Sequence, residues 1–335
     1  MRKAFTFDDV ALVPQFNNVP SRLEPKLETW LTKSIKMGIP VLASNMDSVI
    51  GRDLAEILLR NGSTPIFHRF TSAENQMKFV KQFPKKVFVS SGVQEIESLL
   101  PYLDEGALGI CLDIAHGHSE TALKFISTLK TLRSDCEVIA GNVCTAMAYH
   151  DLVNAGADAV KVGVGPGAAC TTRIVTGFGV PQLTAIRDCA NVAERLRVPL
   201  IADGGIKSSR ELVLALAAGA SSVMIGKLFS LTNESASEKR LNAQTNKQEA
   251  KYRGQASEDF QTDFYGGVKK DTVPEGVGFW ADISGPAQNL IDNLLGGLRS
   301  GLTYGGARSI KELQRKAEFV EVTSSYNLES MPRRQ

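Results

Sequence analysis

The chain is poor in several things, and each shortage excludes a class of protein. Cysteine is sparse: Cys111, Cys136, Cys144, Cys170 and Cys189 are the five, an odd number with no CxxC pair. That pattern argues against both a disulfide framework and a zinc site. Charge of one sign is missing too. The net charge is +2 and no basic block stands out, so nucleic acid is not an expected partner. No run of about 18 apolar residues occurs, so no membrane-spanning helix is expected. The start, MRKAFTFDDVALVP, has Asp8 and Asp9 where a secretory signal would turn apolar. These absences predict a cytoplasmic protein with reduced thiols. With 43% hydrophobic and 22% charged residues, the 335-residue chain has an ordinary globular composition and enough length for a substantial core.

What is present is alternation. Eight short apolar runs recur, at 41–46, 64–69, 87–92, 108–115, 137–143, 159–165, 199–205 and 222–228. Most are apolar throughout, as parallel strands buried on both faces are. Amphipathic stretches separate them, among them DLAEILLRNG, AENQMKFVKQF, SETALKFISTLKTL and SRELVLALAAG. The glycines of NAGA and LAAGA fall where helices should stop. Eight βα units in about 250 residues predict an α/β fold, a (β/α)8 TIM barrel. A doubly wound open sheet is the alternative. It usually has fewer strands, and no GxGxxG follows the first strand.

Two segments break the alternation. Residues 1–39 precede the first strand and are expected to cover the bottom of the barrel. Residues 230–283 are polar and follow strand eight, so they leave from the C-terminal face, where barrel active sites sit. Loops of that length are usually functional or disordered, and a mobile flap is the expectation. NLIDNLLGGLRSGL reads as a final helix, and the tail EVTSSYNLESMPRRQ as frayed.

Reactive residues collect at strand ends: Asn45 and Asp47, His68 and Arg69, Asp113 and His116, Asn142, Cys170 and Asp203. Any one could be a capping group; all of them on one barrel face suggest a site. The loops after strands seven and eight, ADGG and IGK, suit a phosphate, with Gly204, Gly205 and Gly226 allowing close approach and Lys227 adding charge. Tight turn geometry is the plainer explanation. Cys170 lies in GVGPGAACTTR, residues 163–173. Unlike Cys111, which sits inside an apolar run, it is flanked by permissive backbone, two threonines and Arg173. A nearby cation and N–H-rich loop favour a thiolate nucleophile.

GVGPGAACTTR, IADGG, GNV, the FTFDDVALVP opening and the LLGGLRSGLTYGGARSIKEL ending resemble the IMP dehydrogenase and GMP reductase family along nearly the whole chain. The resemblance implies a (β/α)8 barrel and a cysteine, Cys170, that attacks C2 of a purine nucleotide. It implies that Thr172 and Glu275 handle protons and that Asp203 holds the ribose hydroxyls. Nucleotide contacts are expected from Asn45, Met46, Gly204, Gly205, Gly226, Lys227, Tyr252, Gly254, Gln255 and Gly276. The cofactor, NADPH, is expected beside Asp47, Arg69, Asp113, Ala115, His116, Asn142 and Thr172. The carbonyls of Gly165, Gly167 and Cys170 match a potassium site, and a homotetramer is implied.

Two activities share this pattern. Dehydrogenases oxidise IMP with NAD, usually carry inserted CBS modules, and place an Arg-Tyr pair in a flap stretch like SSDRYFQ. Reductases convert GMP to IMP with NADPH and have a shorter flap like GMSSE…YAGGVAEYRASEG. This sequence has no room for inserted modules, so one catalytic barrel domain over 1–335 is expected, with the flap at about 230–283. Its flap, GQASEDFQTDFYGGVKKDTVPEG, follows the reductase in ASE and YGGV, and has Glu258 and Asp259 where Arg-Tyr would stand. TVPEG and DIAHGHS lean towards the dehydrogenase. Ala168 replaces a phosphate-contacting serine, and Arg69 replaces the lysine of a reductase VHKH. A GMP reductase acting on GMP and yielding IMP is the reading. An IMP dehydrogenase, or a nucleotide-binding protein without turnover, are the alternatives.

Overall fold

A computed structural model describes residues 1–93 and 96–332. All eight expected strands form. They are β1 (Val41–Ala43), β2 (Ile66–Phe67), β3 (Phe88–Ser91), β4 (Gly109–Asp113), β5 (Glu137–Val143), β6 (Ala159–Val162), β7 (Leu200–Asp203) and β8 (Ser222–Ile225). The parallel ladder runs unbroken from β2 to β8 and returns to β1. Among the described residues no ladder joins β1 to β2, so the barrel is nearly closed. Apart from β5, which spans its whole run, the strands are shorter than the apolar runs. In most, the run's last residues turn out of the ladder into the loop above it, as Gly204 and Gly205 do after Asp203.

Helices follow the strands because their sequences carry both the apolar stripe and the cap. Ser119 accepts from Ala122 N–H at the head of Glu120–Leu132, and Thr145 accepts from Ala148 N–H at the head of Ala146–Asn154. Such side-chain caps each stabilise a helix by about 1 kcal/mol. Gly156 and Gly219 follow the helix ends that NAGA and LAAGA suggested. The helix Ala287–Tyr304 matches NLIDNLLGGLRSGL, and a further helix, Ile310–Lys316, follows it.

The N-terminal segment divides between the two faces. The hairpin Thr29–Trp30 with Lys36–Met37 puts Leu31 and Met37 beneath the barrel, as expected, in one cluster with Leu42, Ile66, Phe88, Cys111, Ile139, Ala159, Ile201 and Met224. Residues 5–12 do not cover the bottom. Phe7 packs against Gly205, and Asp8 pairs with Lys207 at 3.1 Å, so this stretch climbs beside the loop after β7. The tail is not frayed as a whole. Phe319–Glu321 pairs antiparallel with Val10–Leu12, and Ser325–Glu329 is helical. Residues 333–335 of that tail lie outside the described residues.

The expected flap contains regular secondary structure. Lys239–Asn242, Lys247–Arg253 and Gly278–Asp282 form a three-stranded antiparallel sheet. The helix Glu258–Tyr265, capped by Ser257, is set between its second and third strands. Among the described residues no helix is long and apolar enough to cross a membrane.

Candidate active site

The loop after β6 begins at Gly163, with φ +155°. A Cβ there would sit on the Asp203 carbonyl oxygen, so only glycine lets the loop pass the end of β7. Seven residues later comes Cys170, whose N–H donates to the Gly167 carbonyl at 3.0 Å. The flap closes on this loop as a short antiparallel pairing. Thr171 N–H donates to the Glu275 carbonyl (3.0 Å), and Val277 N–H to the Ala169 carbonyl (2.9 Å). That pairing brings three side chains into line. The Cys170 thiol donates to Thr172 Oγ1 at 3.3 Å, and the Thr172 hydroxyl donates to Glu275 Oε2 at 2.8 Å. Cysteine, threonine and glutamate come from one loop and a flap about a hundred residues away in sequence, and they form one hydrogen-bonded chain.

Arg173 does not serve the thiol as its position suggested. Its Nε donates to the Val164 carbonyl (3.0 Å) and its NH2 to that of Val180 (2.6 Å), so it braces the backbone of the loop. Burial pushes Cys111, Cys136 and Cys189 up to about 12, which leaves them protonated and inert.

Beneath the loop, charged residues fill the upper barrel. Lys161 is buried on β6 and reaches Asp113 Oδ1 at 3.0 Å and Asp203 Oδ2 at 3.6 Å. Asn142 Nδ2 donates to Asp203 Oδ2 (2.9 Å) and to the Gly163 carbonyl (2.9 Å). Arg69 Nε lies 3.9 Å from Asp113 Oδ2, with its guanidinium over Phe70. Lys161 escaped the sequence reading. Its signal was a lysine inside the apolar run AVKV, where a charge needs a buried partner. Burial works against the Lys161 ammonium, but Asp113, Cys111 and Asp203 outweigh it and hold it above lysine's usual range. Burial draws His68 down to about 4, with Asp47 and Asp113 opposing, so its ring is neutral.

A cleft of about 710 Å³ opens above this layer, a volume suited to a small-molecule ligand. Met46, Ala115, Gly167, Cys170, Thr172 and Asp203 line it from the barrel side. Gly204, Gly205, Gly226 and Lys227 line it from the loops after β7 and β8, and Tyr252, Gly254, Gln255 and Glu275 from the flap. At Gly226 a Cβ would stand 2.6 Å from the Tyr252 hydroxyl, which explains the glycine. Burial, then Asp203 and Cys170, raises Tyr252 above the usual phenol range. Lys227 Nζ sits over the Phe279 ring at 5.3 Å.

Other expected residues stand behind the cleft wall. Asn45 donates to Ser90 Oγ (2.9 Å), and its carbonyl accepts from Gln255 Nε2 (3.0 Å). Gly276 pairs with Cys170 and Ser257. His116 is exposed, edge-on to His118. Asp47 is engaged by Arg253, whose Nε and NH2 reach Oδ2 at 3.0 and 2.7 Å and whose NH1 pairs with Asp263. Arg253, in KYRG, was also missed by the sequence reading; nothing in that stretch points to a partner on β1's loop.

Among the described residues, the buried polar atoms with no hydrogen-bond partner include Asp47 Oδ1, Arg69 Nε and Asn142 Oδ1. Together with Ala115 on the cleft wall they fit a polar second ligand such as a nicotinamide. For a monovalent cation, Gly165, Gly167 and Cys170 offer neutral carbonyl oxygens. The Gly167 oxygen, which accepts one N–H, has a second lone pair for it.

Fold and site define a class: a (β/α)8 barrel with a thiol, a hydroxyl and a carboxylate in line at the mouth of a nucleotide-sized cleft. A family described as "IMP dehydrogenase / GMP reductase domain" matches residues 4–333. The IMP dehydrogenase of Cryptosporidium parvum is 37% identical over 378 aligned positions, covering 96% of this chain and 93% of that one. Human GMP reductase 1 is 35% identical, covering 96% of both chains. A crystal structure of a cysteine-to-alanine variant of Trypanosoma brucei GMP reductase, in complex with guanosine 5'-monophosphate, superposes with a TM-score of 0.92. It is 26% identical, over 99% of this chain and 98% of that one. The chain belongs to the IMP dehydrogenase/GMP reductase family, a family of oxidoreductases.

Proposed function

We propose that the protein is a GMP reductase, converting GMP and NADPH to IMP, ammonia and NADP. The observation that carries this reading is the line Cys170–Thr172–Glu275 beside a flap with no arginine at the hydrolytic position. The Cys170 sulfur attacks C2 of the purine and an S–C2 bond forms. The thiol proton passes through the Thr172 hydroxyl to Glu275. Glu275 delivers it to the 2-amino group as the C2–N bond breaks, so the amine leaves as ammonia with the proton that began on sulfur. The reduced nicotinamide supplies a hydride to C2 when bound. The S–C2 bond then breaks, releasing IMP, and the thiolate recovers a proton from solvent.

Water is the competitor for the intermediate, because hydrolysis at C2 gives the dehydrogenase product. Glu258 and Asp259 stand where the dehydrogenase pattern has Arg-Tyr, and Asp259 is paired with Lys251 at 2.9 Å. A carboxylate tied to a lysine does not replace a guanidinium base. Asp203, on the cleft wall and anchored by Asn142, is the acceptor for the ribose hydroxyls. Gly204, Gly205 and Gly226 offer close backbone to the phosphate. A monovalent cation on the carbonyls of Gly165, Gly167 and Cys170 would hold the shape of the cysteine loop. Asp113 and Arg69, with Ala115 and Asn142, form the side offered to the nicotinamide.

The dehydrogenase reading has one observation in its favour: the VPEG segment, shared with that branch, carries Glu275. Two assays on one preparation separate the readings. GMP-dependent oxidation of NADPH with release of ammonia is expected. NAD reduction with IMP, and no NADPH oxidation with GMP, would reverse the assignment.

A further inference from the structure

Among the described residues Lys161 is the one buried cation, and this chemistry does not use it. It is 1% exposed, on the inward face of β6, two residues above Ala159 of the apolar floor. Its ammonium stands between two carboxylates from different strands, Asp113 on β4 and Asp203 on β7. Those two carboxylates belong to different halves of the site. Asp203 lines the nucleotide cleft, whereas Asp113 faces Arg69 on the side assigned to the nicotinamide. A buried lysine is costly unless it is paired. This one has two carboxylate partners, and each faces a different part of the site.

We propose that Lys161 is a positioning residue: one buried ammonium clamps Asp203 and Asp113 together, so that Asp203 meets the ribose hydroxyls as a fixed acceptor. The Asp203 Oδ2 atom takes Asn142 and Lys161, and Oδ1 has no hydrogen-bond partner among the described residues. The clamp thus turns Asp203 into an acceptor with one committed and one free oxygen. Around the pair, the charged and titratable groups are Asp113 and Cys111 on β4, Asp203 on β7, His68 and Arg69 at the end of β2 and Tyr252 from the flap. Arg69 reaches only the far oxygen of Asp113, so Lys161 is the sole cation paired with Asp203 among the described residues. Without it, two half-buried carboxylates face each other with no cation between them, and like charges at close range favour retaining a proton. A protonated Asp203 is a poor acceptor for two hydroxyls.

The proposal rests on the reading of Asp203 as the ribose acceptor for GMP, and the test keeps the two apart. Calorimetric titration with GMP, without cofactor, is run from about pH 6 to about pH 8.5 on the wild type and on Lys161→Met. The wild type is expected to bind with an affinity that changes little over the range. Lys161→Met is expected to lose affinity by about tenfold per pH unit towards the acid end, the slope of a single coupled proton. A role confined to folding would lower the melting temperature and leave that profile flat. Should Lys161→Met fail to fold, Lys161→Met/Asp113→Asn removes one carboxylate along with the cation. It is expected to fold and to bind GMP more weakly than the wild type across the whole range, because no ammonium holds Asp203 in place. A flat profile at wild-type affinity, in whichever variant folds, overturns the clamp alone. No GMP binding by the wild type overturns the clamp and the functional reading together.

Discussion

The same strands build two unlike layers, two residues apart. Ile66, Phe88, Cys111, Ile139, Ala159 and Ile201 point inward near the bottom, buried and apolar. Two positions further along those strands come His68, Ser90, Asp113, Gly141, Lys161 and Asp203. Side chains alternate along a strand, so both sets face the barrel interior, about 7 Å apart. The lower layer holds the barrel together by apolar packing, with Leu31 and Met37 closing it from below. The upper layer exchanges that packing for ion pairs and hydrogen bonds, and the cleft opens above it. The difference teaches that one structural period serves both ends, and that a single step of two residues takes the chain from stability to chemistry.

The comparison breaks first at the rim. Cys170→Ser is expected to abolish turnover with GMP and NADPH while the protein stays folded and still binds GMP by calorimetry. Residual turnover near the wild-type rate would remove the nucleophile. Next, Glu275→Gln keeps the shape of the side chain and removes the proton carrier. Single-turnover deamination is expected to slow by about 10²–10⁴-fold, the usual contribution of a general acid–base step. GMP affinity should change little, because Asp203 and the loops after β7 and β8, not Glu275, are proposed to hold the nucleotide. If Glu275 only fixed the flap to Thr172, the same preparation would melt earlier and react at a normal rate.

The lower layer should answer in the opposite way. Phe88→Ala removes a fully buried ring and is expected to cost about 3–5 kcal/mol of stability. Denaturant unfolding reads that loss, and turnover per folded molecule should stay near normal at low temperature. A specific loss of activity with normal stability would dissolve the division between the layers. The smallest effect belongs to His68, drawn from the usual 6.5 to about 4 by burial. The unfolded chain takes up the proton first, so His68 destabilises the fold as the pH falls from about 6.5 towards 4. The difference approaches about 3 kcal/mol at most. His68→Gln is therefore expected to flatten the loss of melting temperature between pH 7 and pH 5. An unchanged slope would show that the ring is protonated without penalty.

Much of this was legible in the sequence, for physical reasons. Buried parallel strands need continuous apolar runs, so all eight could be counted, and their polar last residues marked the face that carries the site. The cysteine loop was visible because glycines and a proline crowd beside a thiol, which marks backbone that must turn sharply or be approached closely. Lys161 was not, because inside AVKV it reads as a strand residue until Asp113 and Asp203 close around it from β4 and β7. The pairing of Arg253 with Asp47 joins residues 206 positions apart, which no local pattern encodes. Arg173 misled for a related reason: nearness in sequence to Cys170 suggested a charge partner, whereas its length lets it reach the carbonyls of Val164 and Val180. The first dozen residues depart from the expected bottom because Val10–Leu12 finds its strand partner in the C-terminal segment.

The central claim is that Cys170 forms a bond to the purine and that the amine leaves before reduction. Rapid quenching of the protein with GMP, followed by mass spectrometry of the peptide carrying Cys170, tests it most directly. The account predicts an adduct on Cys170 with the mass of GMP less ammonia, formed without NADPH and discharged as IMP when NADPH is added. An enzyme that turns over GMP while Cys170 stays unmodified at every quench time would contradict it.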